Sequence, residues 1–469
     1  MALKALPDFT LFELSGMLHR GEISSRMLTT AVLNRLSETD DKVGAYAYLC
    51  PGALDDADRA DARRKSERNI SSLLGIPVAV KDVFHTADAP TAAGSRVLRS
   101  FRPARDATVV AKLRAAGAVL VGKTVTHEFA YGMNTPRTRN PWNLACYPGG
   151  SSAGSAVSVA VGSAVVSVGT DTAGSVRTPA SVNGIVGLKP TYGRISRAGV
   201  IPASPSLDHV GVMGRSVRDC AMLLEALAGH DPLDRSSLRA APPPWATQLR
   251  SDVAGLRLGV DRSYFMDWSG VADGVRARVD EALELLKMLG VHIVDVSFPL
   301  LDRASAVGST LMSVDYSVWH RNYLRTRPHD YEPGTRRMLL LGHLTPATAY
   351  VQAQRVRLTL VASLRQTYEE HSLDAIVGPT IPLTAPTLAE MGATDSELDL
   401  SGLVHHSFPA NLAGLPCISV PCGFAEGMPV GMQIMGRPLD ETTVMSLAAA
   451  YETAGPPRRP VPLLGRSDG

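Results

Sequence analysis

The stretch GGSSAGSAVSVAVGSAVVSVGTDTAGSVRTPA, Gly149 to Ala180, consists almost entirely of glycine, alanine, valine and small hydroxyl residues. It contains two glycine- and serine-rich turns, and Ser151 and Ser175 lie one in each, 24 residues apart. Glycine lets a backbone turn sharply, so that several N–H groups can converge on one point, as an oxyanion hole requires. The stretch therefore predicts close approach of a serine to a substrate, although a small-residue helix packed on a sheet would have a similar composition.

Lys81 is a candidate base for such a serine. It follows the short apolar run Ile76 to Val80, which predicts a buried strand. A desolvated lysine has a lowered pKa and can be neutral near pH 7, whereas most lysines at strand ends are solvated charges. Lys81 is therefore expected to act as a base only if the fold buries it.

A phosphate-binding loop is one competing interpretation. Gly117 to Thr124 (GAVLVGKT) matches the pattern G-x-x-x-x-G-K-[ST]. Its four middle residues, however, have the composition of a buried strand, whose N–H groups belong in a sheet ladder rather than on phosphates. A core strand ending in a solvated Lys123 is the favoured interpretation, and a P-loop nucleotidase stays as an alternative.

A nucleophile elbow is the other competing interpretation. Gly150, Ser152 and Gly154 fit G-x-S-x-G, which needs a strand before it and an acid and a histidine after it. The preceding residues contain proline and glycine, which disfavour a strand. Among twelve histidines, His405 or His406 could serve, but nothing in the sequence selects either.

The composition excludes several classes of function. The 469 residues include 47 basic and 45 acidic ones, so a net charge of +2 offers no bulk attraction to nucleic acid or to anionic membranes. The five cysteines lack metal-site spacing, so no metal is expected. No run of 18 apolar residues occurs, and the first twenty residues lack the apolar core of a secretory signal. A cytoplasmic enzyme with no membrane contact is expected.

Predicted helices and strands alternate along the chain, which indicates an α/β fold. Thr10 and Glu13 form a capping-box pattern at the start of a helix. Further predicted elements include strands at 118–121, 256–261, 291–298, 375–379 and 417–421, and helices at 109–116 and 271–289. The segment 303–364 is predicted to be mostly helical, and Pro242 to Pro244 is the best candidate linker.

From about Leu11 to Glu452 the chain resembles the amidase signature family. Beside the stretch quoted above, the resemblance is carried by these motifs: Gly75 to Asp82 (GIPVAVKD), Gly122 to Gly132 (GKTVTHEFAYG), Gly187 to Gly193 (GLKPTYG), Ala375 to Pro379 (AIVGP) and Asn411 to Pro421 (NLAGLPCISVP). It implies a large mixed β-sheet flanked by helices on both faces, in a single amidase domain spanning 1–469. Within that domain we expect N-terminal helices at about 8–70, a signature core at about 71–230, and a portion with the substrate-pocket helices at about 245–455. The resemblance implies no metal and no organic cofactor.

The resemblance also implies roles for particular residues. Ser175 would attack an amide carbonyl, Ser151 would relay the proton and Lys81 would be the base, so that an acyl-enzyme forms on Ser175 and is hydrolysed by water. The peptide bond Gly150–Ser151 is expected to be cis. The oxyanion would be held by the backbone N–H groups of Thr172, Ala173, Gly174 and Ser175.

Three further residues are expected to support this site. Ser152 would contribute hydrogen bonds, and Asp171 and Arg177 would form a buried pair that holds the second turn. The predicted acyl pocket is less specific, because core packing is the default for such residues. Its candidate members are Tyr131, Met133, Trp319, Arg357 and His405.

The substrate stays open at this stage. The main interpretation is a small aliphatic or aryl amide, or a related hydrazide or urea derivative, hydrolysed by a possible homo-oligomer. The alternative is the glutaminase component of a glutamyl-tRNA amidotransferase, whose ammonia-donor site uses an arginine, matched by Arg357, and an aspartate. Val404 stands at the aspartate's position, so the α-amino group of glutamine would lack its partner.

Overall fold

The computed structural model describes residues 3–67, 70–131, 137–392 and 402–462. The β-strands of these residues are β1 (Tyr46–Leu49), β2 (Pro77–Lys81), β3 (Val119–Thr124), β4 (Val166–Asp171), β5 (Val186–Lys189), β6 (His209–Gly214), β7 (Arg257–Val260), β8 (His292–Asp295), β9 (Ala375–Pro379), β10 (Cys417–Ala425) and β11 (Met428–Gly436). They form one sheet in the order β1-β3-β2-β4-β6-β5-β10-β11-β9-β7-β8.

Helices connect and cover these strands. The α-helices of the described residues are α1 (Leu11–His19), α2 (Ser25–Val43), α3 (Ala53–Ser66), α4 (Thr108–Ala115), α5 (Ala153–Val161), α6 (Arg177–Asn183), α7 (Val217–Leu227), α8 (Trp245–Gln248), α9 (Arg262–Phe265), α10 (Asp273–Met288), α11 (Ala304–Thr326), α12 (Pro333–Leu344), α13 (Ala347–Glu370), α14 (Leu388–Gly392), α15 (Gly402–His405), α16 (Phe408–Leu412) and α17 (Glu441–Ala454). Short 3₁₀ helices lie at Leu3–Asp8, Arg96–Leu98, Glu128–Ala130, Leu301–Arg303 and Pro328–Asp330.

The sheet is mixed and its centre is closed on both faces. β2 runs parallel to both of its neighbours, β3 and β4, whereas β4, β6, β5, β10 and β11 pair in antiparallel fashion. Every residue of β2, β3, β4 and β6 is buried, and successive residues of a strand face opposite sides, so both faces are covered. The predicted fold class is confirmed.

Local sequence signals located most of the elements. Thr10 and Glu13 cap α1 reciprocally: the Glu13 N–H donates to Thr10 Oγ1 at 3.2 Å, and the Thr10 N–H donates to Glu13 Oε2 at 2.8 Å. The strands predicted near 76–80, 118–121 and 375–379 form as β2, β3 and β9. The strands that were not predicted are β1, β4, β5, β6 and β11. Glycine or proline interrupts the last four, and neighbouring strands supply the pairing that their sequences do not specify.

The sheet takes strands from all three predicted portions of the chain, and the single-domain organisation over 1–469 stays a prediction. Within the described ranges, no helix is long and apolar enough to cross a membrane. The same residues contain no group of three or more histidine, cysteine, aspartate or glutamate side chains that could hold a metal ion. The five cysteines are free thiols, and all except Cys50 are buried.

Candidate active site

The two serine-rich turns lie at the carboxyl ends of neighbouring parallel strands. β2 ends at Lys81 and β4 ends at Asp171, and the two strands pair in parallel register. The carboxyl ends of parallel strands meet at one edge of a sheet, which is where open α/β sheets bind ligands. Ser151 lies just before α5, and Ser175 lies in the turn between β4 and α6. The topology thus brings the lysine and both turns together.

Lys81 is completely buried and is held by two hydroxyl groups. Its Nζ lies 2.7 Å from Ser151 Oγ and 2.9 Å from Thr170 Oγ1. Burial lowers the pKa of Lys81 to about 7, although the negative charges of Asp171 and Asp208 raise it in part. A neutral amine next to a hydroxyl can accept its proton, so the contact has the chemistry of a base with its first relay group.

The peptide bond Gly150–Ser151 is cis, as predicted from the family resemblance. Gly150 has no room for a side chain, because a Cβ there would lie 2.0 Å from His127 Nε2. The His127 N–H in turn donates to the Ser151 carbonyl at 3.2 Å. His127 therefore packs against both residues of the cis bond, and only glycine fits at the first of them.

Ser175 and Ser152 have different environments. Ser175 is partly exposed, whereas Ser152 is completely buried. The Ser152 hydroxyl donates to the Thr170 carbonyl at 3.1 Å, and the Ser152 N–H donates to the Ser175 carbonyl at 3.2 Å. A nucleophile elbow at Ser152 is therefore wrong, because its hydroxyl is closed off and no strand of the described residues directly precedes it. Ser152 instead links the two turns.

Asp171 and Arg177 form a buried ion pair across the second turn. Arg177 Nε and Nη2 each donate to the Asp171 carboxylate at 3.1 Å, and both side chains are fully buried. Burial by itself would raise the pKa of Asp171, but the Arg177 charge and hydrogen bonds hold it well below its usual range. The pair spans the turn that carries Ser175, as predicted.

Two residues from the far end of the chain complete this pair. Arg177 Nη2 donates to Asn411 Oδ1 at 2.7 Å, and Arg177 Nη1 donates to Gln433 Oε1 at 3.0 Å. Asn411 Nδ2 donates to Asp171 Oδ1 at 2.9 Å. Buried charges need such satisfied partners, so α16 and β11 help to hold the turn.

Arg177→Met should destabilise the fold by about 3–5 kcal/mol, because it leaves the Asp171 carboxylate buried without its counter-ion. The free energy of unfolding, measured with urea, tests this. The control is Arg262→Met, whose ion pair with Asp295 is largely exposed and should contribute no more than about 1 kcal/mol. Equal losses in the two variants would contradict the assignment.

Gly174 has a role other than the one predicted for it in the oxyanion hole. Its φ is +99°, a left-handed conformation that favours glycine, and a Cβ would overlap the Ser407 side chain. Its N–H donates to Asp171 Oδ1 at 2.8 Å, so this donor is already engaged by the buried carboxylate. The predicted hole is therefore reduced to the N–H groups of Thr172, Ala173 and Ser175.

The P-loop interpretation is wrong. The segment Gly117 to Thr124 contains β3, which pairs with β1 and β2, so its N–H groups face strands rather than a phosphate. The expected solvation of Lys123 is also wrong, since its side chain is fully buried and its Nζ lies 3.0 Å from Asp82 Oδ1. Lys123 is a structural lysine that anchors the end of β3.

The predicted pocket residues lie in several different environments. Tyr131 stacks on Tyr316 of α11 with ring centroids 3.9 Å apart, and its hydroxyl hydrogen-bonds Ser313 Oγ at 2.7 Å. Trp319, on the same helix, is partly exposed and packs against Phe129. Met133 lies outside the described residues. That Tyr131 and Trp319 bind an acyl group stays a prediction.

Arg357 and His405 both have partners within the protein. Arg357 Nε donates to the Leu412 carbonyl at 2.8 Å, and its Nη1 and Nη2 donate to Ser206 at 3.0 Å. These contacts give Arg357 a structural role. His405 stacks on Trp268 with ring centroids 4.3 Å apart and an interplanar angle of 12°.

Sequence reasoning missed several residues at and around this site, among them His127, Asn411, Gln433, Thr170 and Lys189. Thr170 contacts Lys81, and it could have been suspected because it lies next to Asp171 inside the signature stretch. Lys189, in GLKPTYG, is completely buried, and burial lowers its pKa to about 7. Its Nζ donates to the Pro190 and Leu415 carbonyls, so it is tied to the backbone, whereas Lys81 reaches serine.

The family model described as Amidase matches residues 27–445. The chain belongs to the amidase family. It is an amidase-type hydrolase that acts on amide C–N bonds, and its fold is that of the amidase signature enzymes.

Similar proteins include components of larger enzymes as well as enzymes named amidases. The A component of the glutamyl-tRNA(Gln) amidotransferase of Geobacter metallireducens is 39% identical over 478 residues, covering 95% of this chain and 97% of that one. A structure from a vestigial protein complex, reported with the evolutionary origins of an s-triazine catabolic enzyme, has a TM-score of 0.89 and 32% identity, covering 96% and 99% of the two chains. The peptide amidase of Stenotrophomonas maltophilia has a TM-score of 0.84 and 31% identity, with coverage of 96% and 98%.

Proposed function

We propose that this amidase hydrolyses a linear amide through an acyl-enzyme on Ser175. The observation that supports the proposal best is the 2.7 Å contact between Ser151 Oγ and the Nζ of a fully buried Lys81. A neutral lysine activates a serine hydroxyl without a metal, and Ser175 lies in the adjoining turn with its side chain partly exposed.

The proposed reaction balances its protons through Ser151. Ser175 Oγ attacks the amide carbonyl carbon and gives its proton to Ser151, while Ser151 passes its own proton to neutral Lys81. The tetrahedral oxyanion accepts hydrogen bonds from the N–H groups of Thr172, Ala173 and Ser175. When the C–N bond breaks, the proton returns through Ser151 to the leaving nitrogen. Water then attacks the acyl ester by the same relay and regenerates Ser175.

The first candidate substrate is the side-chain amide of glutamine, with this chain acting as the glutaminase component of an amidotransferase. The relatives support this candidate better than they support a small-amide hydrolase, since several are the A components of such enzymes at 39–40% identity over 95% of the chain. Arg357 also stands where the resemblance places the arginine of the ammonia-donor site.

The second candidate is a small aliphatic or aryl amide, hydrolysed without a tRNA-linked assembly. The observations that favour it are Val404 and the contacts of Arg357. Val404 supplies no carboxylate for the α-amino group of glutamine, and three nitrogens of Arg357 donate to Leu412 and Ser206. An unpartnered ammonium group would weaken the binding of free glutamine.

Ammonia release from glutamine and from a panel of simple amides separates the two candidates. A kcat/KM for glutamine above those of the simple amides supports the glutaminase candidate, and the reverse order supports the small-amide candidate. EDTA is present throughout, because the proposed relay needs no metal, and activity lost to EDTA would contradict it.

Val404→Asp should lower the KM for glutamine by about tenfold, because a carboxylate there would add one charge-assisted hydrogen bond to the α-amino group. Val404→Asn, of the same size and without charge, is the matched control and should leave the KM nearly unchanged. Steady-state ammonia release measures both variants. Equal KM values for the two would show that position 404 does not face the α-amino group.

A further inference from the structure

Asp208 is a buried carboxylate to which the proposed reaction assigns no role. Its Oδ1 accepts the Thr172 hydroxyl at 2.7 Å and the Ser204 N–H at 3.0 Å, and its Oδ2 accepts the Ala203 N–H at 2.9 Å. It is only 7% exposed. Thr172 is the first residue of the turn that carries Ser175, so Asp208 is attached directly to that turn.

We propose that Asp208 is a positioning residue for amide hydrolysis: it holds Thr172 so that the Thr172 N–H faces the oxyanion. The proposal rests on the proposed function, since it assumes an acyl-enzyme on Ser175 with Lys81 as the base.

Two carboxylates, one at the end of β4 and one just before β6, hold the turn at different points. Asp171, the last residue of β4, accepts the N–H groups of Gly174 and Val176, at the end of the turn next to α6. Asp208 holds the beginning of the turn through the Thr172 side chain. The two are brought together because Asp171 pairs with His209, the residue after Asp208, in the β4–β6 ladder. A donor held at both ends needs little reorganisation when the oxyanion forms.

The charge of Asp208 also acts on Lys81. Burial lowers the pKa of Lys81, and the two charges that raise it again are those of Asp171 and Asp208. Asp171 is neutralised locally by Arg177. Burial raises the pKa of Asp208. The hydrogen bonds that Asp208 accepts and the charge of Arg197 lower this pKa in part. Both carboxylates therefore oppose the effect of burial on the pKa of Lys81, and Asp208→Asn removes one of these two charges.

The charged and titratable groups beside Asp208 include Arg197, whose Nη1 donates to the Asp208 carbonyl at 3.5 Å, and Asp315, which accepts the Ser204 hydroxyl. Burial lowers the pKa of His209, the next residue, well below its ordinary value, so His209 is neutral at neutral pH. Burial and the charge of Asp208 raise the pKa of Tyr316 on α11 well above its ordinary value. Tyr316 is therefore protonated at neutral pH and does not titrate there.

Three variants test the proposal. Asp208→Asn removes the charge, Thr172→Val removes the hydroxyl but leaves the charge, and Asp231→Asn is the matched control. Asp231 is 6% exposed and is also held by hydroxyl groups, those of Thr108 and Ser196, but neither of these residues belongs to the turn that carries Ser175.

We expect kcat to fall in Asp208→Asn and in Thr172→Val by up to about 10²-fold, the effect of a misplaced reacting group. KM should change little. We expect activity to rise with pH as Lys81 loses its proton. In Asp208→Asn this rise should occur at a lower pH, because removing a negative charge lowers the pKa of Lys81 further. The position of the rise should not change in Thr172→Val or in Asp231→Asn.

The contact itself is tested by combining two changes. Thr172→Val together with Asp208→Ala should lose no more kcat than Asp208→Ala alone, because either change by itself already removes the hydrogen bond between the two side chains. Additive losses would overturn the proposal. The proposal would also be overturned if the activity of Asp208→Asn rose with pH at the same pH as that of the wild type, or if Asp231→Asn lost as much kcat as Asp208→Asn.

The failure of the proposed function is recognised separately. An acyl adduct on Ser175 of the wild type is sought first by intact-protein and peptide mass spectrometry with a slowly hydrolysed substrate. Its absence overturns the proposed function and this inference together. If the adduct forms, an unchanged kcat in Thr172→Val overturns the inference alone, and this holds even where Asp208→Asn does not fold.

Discussion

Ser175→Ala is expected to lower kcat for amide hydrolysis by at least about 10⁴-fold while leaving the protein folded, because the hydroxyl that forms the acyl-enzyme is lost. The side chain is partly exposed, so its removal opens no large cavity in the core. Release of ammonia or amine measures the loss, and circular dichroism checks the fold. The slowly hydrolysed substrate should leave an adduct on the wild type and none on the variant.

Ser152→Ala is the matched control for this experiment. Ser152 lies in the neighbouring turn, and its buried hydroxyl contacts the Thr170 backbone rather than an open pocket. Its removal should cost far less activity than the removal of Ser175. Full activity in a folded Ser175→Ala, or a larger loss in Ser152→Ala, would contradict the assignment of the nucleophile.

Lys81→Met is expected to lower kcat by about 10²–10⁴-fold, the typical contribution of a general base. In the wild type, kcat/KM should rise as the pH increases through about 7, because burial lowers the pKa of Lys81 to that value and only the neutral amine accepts a proton. The pH profile is measured with an uncharged amide, so that the substrate does not titrate.

Lys123→Met provides the comparison for Lys81. Both lysines are fully buried at strand ends, but Lys123 pairs with Asp82 whereas Lys81 contacts Ser151. The Lys123 variant should lose stability and keep the pH dependence of the activity that remains. A flat profile across neutrality in the wild type would show that Lys81 does not control the reaction.

The segment GAVLVGKT, Gly117 to Thr124, shows which structural features could be predicted from neighbouring residues alone. The four central apolar residues predicted a strand, and β3 confirms it, so the P-loop could be disfavoured from the sequence. The environment of Lys123 could not be predicted, because Asp82 and Pro90 come from a different segment that the fold places beside it. Short-range patterns specify an element, but they do not specify what surrounds its ends.

The turn that carries Ser175 was likewise only partly predictable from the sequence. The small residues from Gly169 to Ser175 indicated a turn at which backbone donors converge. The partners that hold it come from 36 to 256 residues away, namely Asp208, Asn411 and Gln433. Nothing in the spacing of these three residues points to the turn, since each reaches it through its own part of the chain.

From the sequence alone it was possible to predict the α/β class, the two serine-rich turns, the lysine at a strand end and, through the family resemblance, the cis bond at Gly150–Ser151. These follow from local composition, from the period of apolar residues and from a long motif. Three contacts could be seen only in the folded chain: Lys81 is buried against Ser151, Gly174 donates to Asp171, and Asp208 holds Thr172. Burial and hydrogen-bond partners depend on residues far apart in the chain, and they set the pKa values and donor directions on which catalysis depends.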